Sequence, residues 1–298
     1  LGVTQSEHQT RIDLIDRLLS LSGWSVKDRT QVIEEFEKIR SFVYKRVGIA
    51  LSEQKSVMVK GRLHKRLKHF GFKTFSEYYR FLNSKEGEDE FIDFINAIST
   101  NVTSFFRSPQ QWQYLKENME KIFGKKQKIR IWSAACSSGE EPYTISMFLR
   151  DNLKDFSQRD IKILATDISH KAMSKGVRGE YAEKDISGIS STQLQKYFDK
   201  HRTANGLQYA VKDELKSDIV FRSFNLVTGD FTIFKNKFDI IFCRNVMIYF
   251  DNPTKKALIS RYAKLLDKGG LLVIGDSEAI TENKHEFGLL KSSIYTKL

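Results

Sequence analysis

Cysteine is scarce in this 298-residue chain: Cys136 and Cys243 are the two examples, and no C-x-x-C pair occurs. That excludes a disulfide framework and a cysteine-based zinc site, and it predicts two reduced thiols in a cytosolic protein. The six histidines show no H-E-x-x-H or similar spacing, so no metal centre is expected. No apolar run approaches the roughly 18 residues of a membrane span. The polar opening TQSEHQTRIDLIDR does not read as a secretory signal. Also missing are G-x-G-x-x-G and G-x-x-x-x-G-K-[ST], which removes the usual grounds for expecting a dinucleotide or a nucleoside triphosphate.

Positive charge is abundant. The formal net charge is +12, which invites an anionic partner. Nucleic acid, a membrane surface and an acidic protein helix all satisfy the sum, so the placement of the charge matters more than its total.

The length allows two cores. Residues 1–29 carry a short amphipathic pattern (Ile12, Leu14, Ile15, Leu18, Leu19, Leu21) ended by Gly23, and read as a helical extension. From Gln31 to about Asn101 the chain is helical in period throughout: stripes of Val32, Ile33, Phe36, Ile39, Phe42 and Val43, then Met58, Leu63 and Leu67, then Phe75, Tyr78, Tyr79, Phe81 and Leu82, then Phe91, Phe94, Ile95 and Ile98. From residue 106 to 298 short apolar runs alternate with helical patterns, at Ile129–Trp132, Ile161–Thr166, Ile219–Phe224, Phe238–Cys243 and Leu271–Ile274. That texture predicts a doubly wound, mostly parallel α/β sheet of Rossmann-like type. A small antiparallel β-insertion is expected at about 178–217, with HRTANG as its turn, and a last antiparallel edge strand over Ser293–Leu298.

The stretch IRIWSAACSSGEEPYT, beginning at Ile129, reads as strand, small-residue turn and helix start. Such a unit places free backbone N–H groups at the carboxyl edge of a sheet, where open α/β folds bind nucleotide-like ligands. The helix opens with Glu140 and Glu141, poor company for phosphate, so the ligand should be a nucleoside that is cationic or at least not anionic. Ser138 and Glu141 also fit a capping box. Further polar residues close later strands: Asp167 after ILAT, able to accept ribose hydroxyls or to cap the next helix, then Asn225 after IVFRSF, then Arg244 and Asn245 after FDIIFC.

Those strings, with NVTSFFR at residues 101–107, closely resemble the CheR-type chemotaxis receptor methyltransferases from about residue 35 onward. The resemblance implies S-adenosylmethionine as cofactor, S-adenosylhomocysteine as product, and the γ-carboxylate of a receptor glutamate as methyl acceptor. It makes residues 30–105 a substrate-docking domain and residues 106–298 the methyltransferase domain. It implies cofactor contacts from Asn101, Thr103, Arg107, Glu141, Asp167, Asn225, Leu226, Arg244 and Asn245, with Arg107 and Tyr249 beside the reacting centre. The basic stretch KSVMVKGRLHKRLKHFGFK then becomes a docking face for an acidic methylation helix through Lys55, Arg62, Lys65, Arg66 and Lys68; otherwise it is a solvated surface. Expected partners are the cytoplasmic methylation helices of membrane chemoreceptors. Some family members also take a receptor C-terminal peptide at the β-insertion. Nucleic acid and membrane insertion are not expected, and a cytoplasmic monomer recruited transiently to receptor arrays is. Two alternatives stay open: an amino-directed methyltransferase on nucleic acid or a small molecule, although N-V-M-I-Y lacks the prolines of [D/N]-P-P-Y, and a non-catalytic cofactor-binding module.

Overall fold

A computed structural model describes residues 29–51, 53–99, 103–204 and 206–298. The pattern assigned to residues 1–28, the side chains of Val32, Ile33, Lys55 and Met58, and Asn101 lie outside the described residues. The chain divides into two compact units, Leu1–Thr100 and Asn101–Leu298.

The first unit is built of α1 (Arg29–Val47), α2 (Glu53–Phe70), α3 (Phe75–Leu82) and α4 (Glu88–Ile98). The helical stripes are its core: Phe36, Ile39 and Val43 from α1, Leu63 and Leu67 from α2, Phe75, Tyr78 and Leu82 from α3, and Phe91, Phe94 and Ile98 from α4 are all buried. Burying such side chains contributes about 1.5–3 kcal/mol each before entropy is counted. Thr74 starts α3 with a capping box, its side chain accepting from the Glu77 N–H while the Glu77 carboxylate accepts from the Thr74 N–H. A buried carboxylate, Glu90, ties three helices together: it accepts from Arg66 of α2 and from the Tyr78 hydroxyl of α3 at 2.5 Å.

The second unit runs through α5 (Pro109–Glu117), α6 (Met119–Phe123), β1 (Lys128–Ser133), α7 (Glu140–Asn152), β2 (Asp160–Asp167), α8 (His170–Arg178), β3 (Glu180–Ala182), α9 (Ser191–Tyr197), β4 (Phe198–Thr203), β5 (Gly206–Val211), α10 (Asp213–Lys216), β6 (Ile219–Ser223), β7 (Phe238–Cys243), α11 (Asn252–Leu265), β8 (Leu266–Ile274), β9 (Phe287–Lys291) and β10 (Ile294–Lys297). Seven strands form one sheet in the order β6-β2-β1-β7-β8-β10-β9. The first five are parallel, and β10 and β9 pair antiparallel. The chain reverses direction of travel between β1 and β7, so the switch point where such sheets bind ligands lies at their carboxyl ends.

Alternation along β1 explains why both faces of the sheet are covered. Ile129 and Ile131 join a core with Ile145, Phe148, Ile163, Ile240 and Phe242. Trp132, fully buried, points to the other side and meets Phe224, Phe234, Phe238 and Tyr262. Trp132 is thus core, its Nε1 donating to Thr166 Oγ1 at 2.9 Å.

The β-insertion is a separate three-stranded sheet, β3-β5-β4. Two details depart from the sequence reading. HRTANG is not all turn, because His201–Thr203 continue β4 in register with residues 206–208 of β5; Thr203 is β-branched and suits a strand. The final run is antiparallel but not at the edge, since β10 lies between β8 and β9.

Candidate active site

The turn after β1 is built to lie close to neighbouring backbone. Gly139 has φ +94°, and a Cβ there would stand 2.7 Å from the Gly176 Cα and 2.9 Å from the Tyr181 hydroxyl. No other residue type meets both demands. The Tyr181 hydroxyl donates to the Ser138 carbonyl at 2.7 Å, and the Tyr143 hydroxyl to the Gly176 carbonyl at 2.7 Å. Four amides of the turn are engaged: Ala134 N–H bonds Phe242 O, Cys136 N–H bonds Thr166 O, Gly139 N–H bonds Cys136 O, and Ser137 N–H bonds Asp167 Oδ2 at 2.7 Å. Those four donors are therefore not open to a phosphate.

The capping box is not formed. Gly139 occupies the N-cap of α7, and the Ser138 hydroxyl donates instead to the Glu140 carboxylate at 2.7 Å. Burial raises the Glu140 carboxyl above its usual range, against the opposing pull of that hydroxyl and of Lys175. Glu141 turns inward: its Oε1 accepts from Ser133 Oγ at 2.6 Å and its Oε2 from Arg244 Nη1 at 3.1 Å. Each oxygen keeps one further acceptor site.

Arg244, at the end of β7, also extends Nη2 to the Arg107 carbonyl at 2.7 Å and to Ser108 Oγ at 2.8 Å. Trp112 Nε1 donates to the same carbonyl at 2.9 Å. Arg107, half-buried, is flanked by two residues in the left-handed region, Phe106 (φ +50°) and Ser108 (φ +61°). Non-glycine residues adopt that conformation at a cost of about 1–3 kcal/mol each, and such strain concentrates at functional sites. Neighbouring aromatics hold the segment in place: Phe105 packs on Tyr181 and Phe198, and the Phe106 N–H bonds Thr144 Oγ1 at 3.2 Å. The buried Arg244 Nε has no hydrogen-bond partner among the described residues, a donor left open where a ligand acceptor could serve it.

Asp167 does not cap α8; Ser169 does, accepting from the Ala172 N–H. The Asp167 carboxylate accepts the Ser137 and Ser169 N–H groups, one on each oxygen, and the Ile168 amide also acts on it. Burial raises its carboxyl above the ordinary value even though these amides pull the other way. Asn225 folds its own loop, its Oδ1 accepting from Val227 and Thr228 N–H. Leu226 is buried, and its carbonyl accepts from Arg261 at 3.3 Å. Asn245 sits at φ +58°, and Tyr249, half-buried, ends the single 3₁₀ turn Met247–Tyr249. Thr103 is half-buried. Cys136 and Cys243 are buried, and burial pushes both thiols well above their usual range, the setting of structural rather than reactive cysteines.

The structure thus gathers Glu141, Arg244 and the Arg107 backbone into one network and joins Asp167 to the β1 turn. Sequence reasoning missed Ser133, Ser108, Asp276 and Glu278. The last two follow β8, another parallel strand. Reading the residues after Leu271–Ile274 as the other strand ends were read would have found them.

Among the described residues, no group of three or more His, Cys, Asp or Glu side chains could hold a metal ion. No helix there is long and apolar enough to cross a membrane. A doubly wound sheet whose switch point is lined by carboxylates, with no phosphate-binding glycine pattern, is the architecture of Rossmann-like S-adenosylmethionine-dependent methyltransferases. Comparison with known proteins narrows the class. Residues 101–296 match the family model described as the CheR methyltransferase SAM binding domain, and residues 34–99 match the CheR methyltransferase all-alpha domain. The chain is similar to the chemotaxis protein methyltransferase of Borreliella burgdorferi, at 41% identity over 85% of this chain and 90% of that one. It is similar to that of Escherichia coli at 36% identity, over 87% and 89% respectively. Chemotaxis protein methyltransferase 2 of Pseudomonas aeruginosa matches at 34%, over 88% and 92%. The chain belongs to the CheR methyltransferase family and binds S-adenosylmethionine.

Proposed function

We propose that the protein methylates the γ-carboxylate of specific glutamates on the cytoplasmic helices of chemoreceptors. The relatives' designation as chemotaxis protein methyltransferases supports the receptor. The observation that carries the acceptor chemistry is the Arg107 turn, a strained segment whose carbonyl is fastened by both Arg244 and Trp112. A guanidinium held by its backbone can orient a carboxylate through a bidentate fork.

The residues present fit the cofactor. Asp167 retains acceptor capacity for a ribose hydroxyl, and Glu141 retains sites for the ammonium of the methionine part. Arg244 Nε remains an open donor, and Asn101, Thr103, Asn225, Leu226 and Asn245 complete the contacts. The cofactor supplies a methyl group on a cationic sulfur. The acceptor carboxylate is already ionised near neutral pH, with a reference pKa of about 4.3, so neither a general base nor a metal is required. What the chain must do is align the acceptor and exclude water, effects that reach effective molarities of roughly 10⁵–10⁸ M. Arg107 aims the carboxylate, and Tyr249 borders the transfer path.

We assign receptor docking to the helical unit through Lys55, Lys65 and Lys68, with Arg62 and Arg66 supporting. Arg66 is engaged by Glu90, and Arg62 donates to the Ala97 carbonyl at 3.1 Å. A receptor C-terminal peptide would pair with the exposed strand β4. The protein works as a monomer in the cytoplasm, recruited transiently to receptor arrays. Incubating it with labelled S-adenosylmethionine and receptor membranes, then with base, tests the reading. Methyl esters release volatile methanol. Base-stable label would indicate an amino acceptor instead, and no label a binding module.

A further inference from the structure

The loop after β8 carries two carboxylates that reach turns bearing the proposed site residues. Glu278 accepts three backbone N–H groups: Oε2 from Asn245 at 2.9 Å and from Gly275 at 2.5 Å, and Oε1 from Ile248 at 3.1 Å. Asp276 accepts from Ser108 Oγ at 2.6 Å and from Gln111 Nε2 at 3.2 Å. The first carboxylate therefore grips the segment from Asn245 to Tyr249, and the second grips the start of the helix that follows Arg107. Glycine is needed at 275, because a Cβ there would stand 2.7 Å from Glu278 Oε2 and 2.8 Å from the Asn245 nitrogen.

Asn245 is left-handed at φ +58°, a conformation that persists only where the surroundings fix it. Hydrogen bonds from N–H groups to an ionised carboxylate are roughly twice as strong as neutral ones. Glu278 supplies such bonds at both ends of the segment, to Asn245 itself and to the residue preceding Tyr249. We propose that Glu278 is a positioning residue for methyl transfer, holding Asn245 and Tyr249 in a fixed relation, with Asp276 as its weaker counterpart for the Arg107 turn. The inference rests on the roles proposed above for Asn245 and Tyr249.

Glu278→Gln tests it selectively. An amide has one acceptor oxygen and one donor nitrogen. The oxygen takes the position that meets two N–H groups, at Asn245 and Gly275, and the NH₂ then faces the Ile248 N–H donor to donor. The Tyr249 end is released while the Asn245 end stays held. The expected result is a fall in kcat of about tenfold with S-adenosylhomocysteine affinity kept within about threefold. Hydrogen exchange at the Ile248 amide should accelerate by about tenfold while Asn245 stays protected. Glu278→Asp keeps both acceptor oxygens and recovers part of the loss; Glu278→Ala loses affinity and turnover together. A folded Glu278→Gln protein with wild-type kcat and unchanged Ile248 exchange overturns the proposal. So does loss of affinity and turnover in step in Glu278→Gln, tracking only a lowered Tm. If the wild-type protein forms no methyl ester, the glutamate reading fails, while amide exchange and calorimetry with S-adenosylhomocysteine still decide Glu278.

Discussion

Arg66–Glu90 in the helical unit and Arg244–Glu141 in the sheet unit are the same chemical pair in two settings. Glu90 is met by Arg66 and by the Tyr78 hydroxyl, with Asp93 3.6 Å from the guanidinium. The bond to Glu90 raises the Arg66 pKa, and burial followed by Glu90 raises that of Tyr78. These interactions close within the helical core. Arg244 meets Glu141 with one nitrogen but uses another to fix the Arg107 carbonyl, and its buried Nε has no partner among the described residues. A buried pair whose contacts join core helices is a structural tie. A pair that fixes strained loop backbone and leaves a donor open is a candidate for a site.

Breaking each pair should separate those roles. Removing one partner of a buried pair costs about 3–5 kcal/mol. Arg244→Met should therefore lower stability by about that much and also weaken S-adenosylhomocysteine binding. Glu90→Gln should cost less, at or below the low end of that range, because Arg66 is partly exposed and can recover water. Cofactor affinity should stay unchanged. Denaturant melts and calorimetry on both variants check this, and weakened binding in Glu90→Gln would erase the distinction.

Next in size is Arg107→Ala. Losing the group that aims the acceptor should lower turnover roughly 100-fold, with cofactor affinity changed much less. Single-turnover rates set against calorimetric affinities measure the split. Near-normal turnover in a folded variant would reduce the strained turn to a structural feature.

A smaller effect depends on pH. Burial raises the Asp167 pKa above its ordinary value of 3.8. For stability, a raised acid favours the protonated folded state, so its contribution is fully present below 3.8 and is lost as pH rises through the folded value. For binding the sign reverses, because the ionised carboxylate is the better acceptor for ribose hydroxyls. S-Adenosylhomocysteine affinity should therefore rise with pH across the window in which this stability declines, and Asp167→Asn should flatten both trends. Parallel titrations of Tm and affinity check the opposition. A wild-type affinity flat through that window would leave Asp167 as a brace for the Ser137 and Ser169 amides alone.

Much of this was legible in the sequence because two regular periods carried it. Most of the described residues of the helical stripes are buried in the helical core, with Phe42, Tyr79 and Phe81 half-buried, and the apolar runs became the parallel strands. Asp167, Asn225 and Arg244 were singled out because strand ends have a fixed meaning in a doubly wound sheet. Partnership was not legible. Ser138 and Glu141 have capping-box spacing, yet Glu141 bonds Ser133 and Arg244, the latter 103 positions away. Local spacing cannot weigh a short-range bond against one that only the folded sheet supplies. The position of Glu278 after a strand was legible but its partnership was not, since Asn245 and Ile248, 33 and 30 positions away, are brought to it by the pairing of β7 with β8.

The smallest expected effect concerns the basic helix, where one run of like charges contains residues of different use. Lys65 and Lys68 are exposed, whereas Lys60 lies 4.7 Å from the Phe36 ring centre and Arg66 is bound to Glu90. If the exposed lysines dock an acidic receptor helix, Lys65→Ala with Lys68→Ala should raise the KM for receptor roughly two- to thirtyfold at low salt. That corresponds to about 0.2–1 kcal/mol for each exposed pair. The difference should fade toward 1 M salt, where the screening length contracts from about 8 Å to about 3 Å. Cofactor affinity and Tm should not move. Arg66→Ala is the internal contrast: it should lower the stability of the helical unit at every salt concentration, because it takes the cation from a buried carboxylate. Equal receptor KM values for the wild-type and double-lysine proteins at low salt would make the exposed lysines a solvated surface and return substrate choice to the neighbourhood of Arg107.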